Sequence, residues 1–314
     1  MQLSVVVPVF KEQEAVPRFL GRVLPILSAI TAEFEVIFCL DPSPDDTEGV
    51  ILAARARDAR VKLLRFSRRV GQPMATLAGL RQAGGEAVVV MDVDLQDPPE
   101  LIPAMVAAWR EEGCDAVLAQ RRSRAGEPWL RRVAARCAYG LMRRIGEVPI
   151  PENTGDFRLL SRRAVEAVNA LEERHGFLRG MVALVGFQQK LLPFDRPARE
   201  TGASHYPVIG SLRIGFNGLF CFSHAPLQVS WWAGLAAGAA GGLVLAGGAA
   251  AALGGVKVAW GWLVVSALVL LLAGVQLMVA AVLGEYIGRI YDEVRRRPRY
   301  LVARSEGFEG TVRN

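Results

Sequence analysis

The sequence predicts an α/β domain with a parallel or mixed sheet, followed by interfacial helices and a two-helix transmembrane hairpin. Three observations lead there. Short apolar runs alternate with helical patterns as far as about residue 120. Two long charge-free stretches lie near the C-terminal end, at 225–256 and 258–284, separated by Lys257. Polar and acidic residues appear abruptly where the apolar runs stop, as in AVVVMDVDLQDPPE at 87–100.

Taken in order, strands are expected at 3–9 (LSVVVPV), 34–40 (FEVIFCL), 61–66 (VKLLRF), 87–92 (AVVVMD) and 115–119 (DAVLA). Helical patterns lie between them near 13–30, 47–58, 71–84 and 99–112. Strands apolar on both faces and separated by helices indicate a parallel sheet with right-handed crossovers. Ligands of such sheets bind beyond the carboxyl ends of the strands. Pro8-Val9, Asp41, Ser67-Arg68 and Asp92 stand at those ends, so distant positions converge on one edge.

The basic region 120–146 carries Arg121, Arg122, Arg124, Arg131, Arg132, Arg136, Arg143 and Arg144. Within it, Trp129, Leu130, Val133, Cys137, Leu141 and Ile145 recur at helical spacing. That is an amphipathic basic helix, suited either to an ordinary surface or to a membrane interface. A second amphipathic segment, 207–222, precedes the first charge-free stretch.

Each charge-free stretch exceeds the roughly 20 apolar residues needed to cross a bilayer. The spans are placed near 231–253 and 260–283, with Trp231, Trp232, Trp260 and Trp262 at the interfaces. The hairpin serves as an anchor or, through its small-residue faces, also in homo-oligomer contacts. Residues 285–300 are expected to form a cytoplasmic helix and 301–314 a loose tail. The domain limits follow: 1–205, a juxtamembrane segment 206–228, a hairpin 229–284, and a basic end 285–314.

Arg289, Arg295, Arg296, Arg297, Arg299 and Arg304 follow the second span, whereas the loop between spans holds Lys257. This asymmetry places both termini on the cytoplasmic side of the plasma (inner) membrane. Met1-Gln2-Leu3 runs into a strand without a basic n-region, so no signal peptide is expected. A net charge of +6 beside two spans fits a membrane surface better than nucleic acid. The four cysteines show no metal spacing and read as reduced thiols.

Alternation puts Asp92 and Asp94 on the same side of a strand end. Two such carboxylates repel unless a cation sits between them. Mg²⁺ or Mn²⁺ takes oxygen ligands, and Mg²⁺ takes one or two carboxylates plus substrate phosphates. The residues alone fit a metal–diphosphate site or a solvated acidic turn ended by Pro98-Pro99.

The motifs in order resemble a family over nearly the whole chain. They are VVPVFKEQEAV at 6–16, LDPSPDDT at 40–47, FSRRVGQPMATLAGL at 66–80, VVVMDVDLQDPPELIP at 89–103, NTGDFRLLSRRAV at 153–165, FLRGMVALVGF at 177–187, HYP at 205–207 and LGEYIGRIYDEVRRRPRYLV at 283–302. Together they resemble the family 2 inverting glycosyltransferases that act on polyprenyl phosphates. These include relatives of dolichol-phosphate mannose synthase, bactoprenol glucosyltransferases and undecaprenyl-phosphate aminoarabinose transferase.

The resemblance implies a GT-A type nucleotide-sugar-binding domain and metal-dependent, inverting sugar transfer. The donor is a UDP- or GDP-sugar and the acceptor a polyprenyl (undecaprenyl) phosphate. By the resemblance, Pro8, Phe10 and Glu12 border the nucleotide, and Asp41 contacts its base or ribose. Asp92 and Asp94 hold the metal and diphosphate as a D-x-D motif, extended by Gln96 and Asp97. Arg121 and Arg131 lie on the acceptor side. Asp156 and Arg158 sit near the reacting sugar, with Asp156 as orienter or, as the lesser option, base. Arg179 completes an anion pocket, and His205 stands where the family has a phosphate-contacting Lys. Arg158 and Arg179 also fit surface ion pairs.

The chain departs from the pattern at Leu40, Pro42, Arg69, Gln72 and His205. Pro42 fixes φ and removes an N–H, so the base is expected to be held differently. Two other functions fit parts of the sequence. A processive polysaccharide synthase needs more spans and a Q-x-x-R-W motif than this chain contains. A non-catalytic nucleotide-binding membrane scaffold is suggested by the departures, against the intact Asp92, Asp94, Gln96 and Asp156.

Overall fold

The computed structural model describes residues 2–122, 151, 153–171, 178–195, 225–255, 261–295 and 297–308. The amphipathic segments 129–145 and 207–222, together with Arg131 and His205, lie outside the described residues.

The chain opens with β1 (Leu3–Val9), α1 (Ala15–Ile30), β2 (Phe34–Leu40), α2 (Thr47–Arg57), β3 (Val61–Phe66), α3 (Gln72–Gln82) and β4 (Ala87–Val90). A short 3₁₀ turn at Pro99–Leu101 leads into α4 (Ile102–Glu112) and β5 (Ala116–Arg121). Then come β6 (Thr154–Ser161), α5 (Arg162–Ala170), α6 (Leu178–Leu184) and β7 (Gln189–Phe194). Two long helices, α7 (Ala225–Leu253) and α8 (Gly261–Val294), precede a last strand, β8 (Val302–Glu306).

The eight strands form one sheet in the order β7-β5-β6-β4-β1-β2-β3-β8. β1 pairs in parallel with both β2 and β4, and β2 with β3. The order reverses at β1, with β2 on one side and β4 on the other. A crevice therefore opens at their carboxyl ends, where doubly wound sheets bind ligands.

Two strands run against the rest. β6 is antiparallel to both β4 and β5, in the register Val90↔Arg158 and Leu118↔Arg158. β8 is antiparallel to β3. The sheet is thus mixed, and the parallel pattern holds for its first four strands. The expected loose tail at 301–314 is corrected: residues 302–306 are a sheet strand. The edge of β3 offered unpaired N–H and C=O groups, and pairing with returning chain satisfies them. The expected helix at 285–300 is likewise corrected, since α8 continues without a break to Val294 and Tyr300 lies buried beside the sheet.

Alternate strand residues serve two cores. Val5, Val7, Val9 and Val89 face α1, α2 and α4, with Phe19, Leu27, Ile51 and Met105. Val6, Val88 and Val90 face α3, α5 and α6, with Leu77, Leu80, Val165 and Met181. Burial on both faces is why these strands read as continuous apolar runs. Cys39 and Cys114 are buried free thiols.

The described residues fall into two compact units. One holds the sheet, its flanking helices and the segment returning from Arg297; the other holds α7 and α8. Within the second unit, α7 and α8 pack against one another. They contain Ser230–Ala251 and Leu271–Val294, long and apolar enough to cross a membrane and almost wholly unburied. Trp231 and Trp232 are exposed at 71% and 64%.

Gly79 of α3 lies where the helix meets β1 and β2. A Cβ there would strike Val6 Cγ1 and approach Cys39 Sγ to 2.6 Å. Gly79→Ala is therefore expected to destabilise the domain by about 1–3 kcal/mol. Gly21→Ala in α1, where a Cβ meets nothing within 4 Å, is expected to stabilise it by about 0.5–1 kcal/mol. Thermal melts of the two variants in detergent check the pair; a stable Gly79→Ala would contradict the packing.

Candidate active site

The carboxyl ends of β1, β2, β3 and β4 supply four loops to one edge. Side chain–backbone hydrogen bonds tie the first two together. The Lys11 N–H donates to Ser43 Oγ at 2.8 Å, and the Glu12 N–H to Thr47 Oγ1 at 3.0 Å. Lys11 adopts φ 60°, a left-handed conformation rare for a residue with a side chain. Pro8 is the penultimate residue of β1, and Phe10 follows the strand with its ring below the Arg69 guanidinium, 4.1 Å from the centroid. Arg69, a departure from the family pattern, thus brings the third loop onto the first as a cation–π contact.

Asp41 is buried, and its carboxylate accepts two backbone N–H groups, from Val70 at 2.8 Å and Gly71 at 2.9 Å. Each oxygen is engaged with the loop after β3, a tethering duty the sequence did not announce. Gly71 at φ 83° is the N-terminal cap of α3, a conformation glycine adopts without steric cost. Gln72, the next residue, donates from Nε2 to Asp92 Oδ1 at 2.8 Å. The departure at Gln72 therefore has a partner inside the acidic motif.

β4 ends at Val90, and 91–98 form a polar turn. The Gln96 N–H donates to Asp94 Oδ1 at 3.1 Å. Asp97 is buried, and its Oδ2 accepts the Asp92 N–H at 3.2 Å, closing the turn from within. Leu95 takes φ 58° in that turn. Asp92 and Asp94 remain half-exposed. Among the described residues no set of three or more His, Cys, Asp or Glu side chains is placed to hold a metal ion. Two oxygen donors on a half-exposed edge fit a hard divalent cation that completes its shell with substrate phosphates.

The antiparallel run of β6 brings the second half of the site alongside. Its last pair with β4 is Val90↔Arg158, so Asp156 precedes that pair by two residues as Asp92 follows it by two. Arg158 is 1% exposed, and its guanidinium donates to the carbonyls of Gly155 and Asp156. It also lies 3.9 Å from Asp156 Oδ1. Arg179 of α6 donates from Nε to the same Oδ1 at 2.9 Å. Arg121 ends β5, with its N–H bonded to Asn153 O and its Nη2 3.6 Å from the Cβ position of Gly155. Three guanidinium groups thus gather around one carboxylate.

Burial by itself raises the Asp156 carboxyl, but Arg179, then Arg158 and Arg121, outweigh it and hold the group below the usual carboxylate range. Burial pushes the Arg158 guanidinium down to about 10, reinforced by Arg179 and resisted by Asp156. It stays protonated at neutral pH.

The model of the family "Glycosyl transferase family 2" matches residues 4–168. The chain belongs to glycosyl transferase family 2. The chain is therefore a glycosyltransferase, built on the mixed GT-A type sheet. It is 39% identical over 305 residues to the bactoprenol glucosyl transferase of Shigella phage SfII, covering 97% of this chain and 98% of that one. It is 36% identical over 309 residues to an uncharacterised glycosyltransferase of Bacillus subtilis, covering 98% and 95%. Among solved structures, glucosyl-3-phosphoglycerate synthase from Mycobacterium tuberculosis, in complex with Mn²⁺, UDP-glucose and phosphoglyceric acid, matches at 18% identity and TM-score 0.46 over 69% of this chain and 77% of that one.

Pro8 lies near the end of β1, Phe10, Glu12, Asp41, Asp92, Asp94 and Gln96 lie on the loops at the same edge, and Asp156, Arg158, Arg179 and Arg121 cluster on β5, β6 and α6. Sequence reasoning missed the tethering by Val70, Gly71 and Gln72, whose only signal was the Gly71 cap before a helix.

Because the Asp156 pKa is lowered on folding, its carboxylate stabilises the fold above its unfolded pKa, and the contribution is lost as pH falls through the folded value. The native chain is expected to melt higher than Asp156→Asn near neutrality, with the gap closing in acid. Melts in detergent from about pH 7 to about pH 3 check this; a gap independent of pH would contradict it.

Proposed function

We propose that the chain transfers a sugar from a nucleotide-sugar to a polyprenyl phosphate at the cytoplasmic membrane face, inverting the anomeric centre. The observation that carries this reading is the cluster of Arg121, Arg158 and Arg179 around Asp156, two residues along from the register that also leads to Asp92. Three cations against one carboxylate leave a net positive pocket suited to an anionic acceptor. The names of the phage relatives add a polyprenol carrier and a glucosyl donor, so UDP-glucose is the first donor to test. The two apolar helices fit an acceptor that resides in a bilayer.

On this reading Asp92 and Asp94 hold Mg²⁺ or Mn²⁺ together with the donor diphosphate. A divalent cation bound there neutralises charge on the departing nucleoside diphosphate. Phe10, Glu12 and Pro8 line the nucleotide side, and Asp41 fixes the loop that closes it. Arg121, Arg158 and Arg179 hold the acceptor phosphate. A phosphate oxygen attacks the anomeric carbon, the bond to the diphosphate oxygen breaks, and the electron pair leaves with the nucleoside diphosphate.

A phosphate monoester has its second pKa near 6, so at neutral pH it is largely ionised and gives up no proton in the step. A general base is then unnecessary, and the lowered pKa of Asp156 makes it a poor one. Asp156 orients Arg179 and Arg158 instead. Arg131 and His205 are assigned to the acceptor side from the sequence pattern. The cytoplasmic domain is taken as 1–205, the juxtamembrane segment as 206–228 and the hairpin as 229–284. The structure adds β8 of the 285–314 end to the sheet of that domain.

The test is transfer by the chain purified in detergent, supplied with Mg²⁺ or Mn²⁺, undecaprenyl phosphate and a panel of UDP- and GDP-sugars. Formation of a lipid-linked sugar is expected, with the opposite anomeric configuration to the donor. No product with any donor would sink the reading. Asp94→Ala is expected to lower kcat by at least about 10²-fold with an unchanged melting temperature; full activity in that variant would remove the metal assignment.

A further inference from the structure

The chain that follows the second long helix does more than close a sheet edge. Tyr300 is 3% exposed and packs in the same core as Val6, Val90 and Leu118. Its ring meets Phe66, the last residue of β3, edge to face at 5.7 Å. The residues on either side of Tyr300 hold the loop that follows Phe66. The Ser67 N–H donates to Leu301 O at 2.9 Å, and Arg68 Nη2 donates to Arg299 O at 3.4 Å. The β3–β8 pairing shifts register between Arg65 and Phe66, so the irregular end of β3 is where these contacts fall.

The far side of the same loop touches the donor residues one after another. Arg69 stacks over Phe10, the Val70 and Gly71 N–H groups bind Asp41, and Gln72 binds Asp92. Residues 67–72 are therefore strung between Arg299–Leu301 on one side and the nucleotide and metal residues on the other. Nothing in the motifs placed the chain's C-terminal end near the donor.

We propose that Arg299–Leu301 is part of the donor-site architecture, with Tyr300 as a positioning residue that fixes the 67–72 loop. It acts through Phe66 and the Ser67 amide and touches no substrate. The inference rests on the donor assignment above for its catalytic consequence, but its structural content stands independently. Loss of the ring removes the packing that holds Leu301 O against the Ser67 N–H. The loop then loses one of its two anchorages, and Asp41 and Gln72 meet a moving partner. Small misplacement of binding groups is costly in catalysis.

The experiment uses the full chain in detergent, as Tyr300→Ala and Tyr300→Phe. Hydrogen exchange is followed in the peptide spanning residues 67–72, and donor KM, acceptor KM and kcat are measured with Mn²⁺ present. For Tyr300→Ala, exchange at 67–72 is expected to speed up in the ligand-free protein. The donor KM is expected to rise by about tenfold, with acceptor KM unchanged. Tyr300→Phe keeps the ring against Phe66 and is expected to restore both. If Tyr300→Ala fails to fold, Tyr300→Leu keeps apolar volume without the edge-to-face contact and is read the same way. Unchanged exchange at 67–72, or faster exchange with an unchanged donor KM, overturns the proposal. A native chain that turns over no nucleotide-sugar defeats the function reading instead, and the exchange result then decides the loop contact by itself.

Discussion

The constraint on which the β6–α6 half of the site depends is the burial of Arg158. A guanidinium taken out of water is costly unless every donor finds an acceptor and a counter-charge stands near. At 1% exposure, Arg158 turns back on its own strand to the Gly155 and Asp156 carbonyls and lies beside the Asp156 carboxylate. That need fixes Asp156 as an ion. Asp156 in turn holds Arg179 on α6, which ties the helix after β6 to the strand. The depressed pKa of Arg158 marks the cost, and the lowered pKa of Asp156 marks the compensation. The pair is therefore charged across the physiological range, and the surplus of positive charge is built into the fold before any ligand arrives.

The half built on the loops after β1, β2 and β3 is held by a different device. Here backbone amides of one loop are bound by side chains of another: Ser43 to Lys11, Thr47 to Glu12, Asp41 to Val70 and Gly71. Such bonds keep these loops in one arrangement. Ordering these loops in advance lowers the entropy a ligand must remove on binding. Asp41 illustrates the difference between contacting and positioning. The resemblance assigns it to the nucleotide, while the structure gives each carboxylate oxygen a backbone N–H. The remaining lone pairs of those oxygens still allow both duties.

Much of this is legible in the amino-acid sequence. The first four strands and their helices follow from apolar runs, because burial on both faces writes itself into local composition. The convergence of Asp41 and Asp92 follows from the parallel topology. The direction and place of β6 and β8 did not follow, because periodicity reports which face of a strand is buried and says nothing of its partner. VARSE at 302–306 is short, charged and exposed on its outer face, as an edge strand is, so it reads as tail. The resemblance placed Asp97 in the site as an extension of Asp92 and Asp94; its bond to the Asp92 amide is a turn contact that only three-dimensional placement reveals. Gln72 and Arg69 read as losses against a family pattern, and each has a partner in the site.

The chemistry of the proposed acceptor explains why the two halves differ in kind. Transfer to a sugar hydroxyl requires a base near the nucleophile, and the base must be free to accept a proton. An ionised phosphate removes that requirement and replaces it with another: two anions, the acceptor and the donor diphosphate, must approach one carbon. Repulsion between them adds to the barrier that breaking the bond to the diphosphate already sets. A carboxylate committed to Arg179 and Arg158 cannot serve as base, but it can keep three guanidinium groups at one place despite their mutual repulsion. Removing its charge would leave Arg158 buried without a counter-ion beside two like charges. On this reading Asp156 acts as the anion that permits the arginines to assemble, and its low pKa is a requirement of the site.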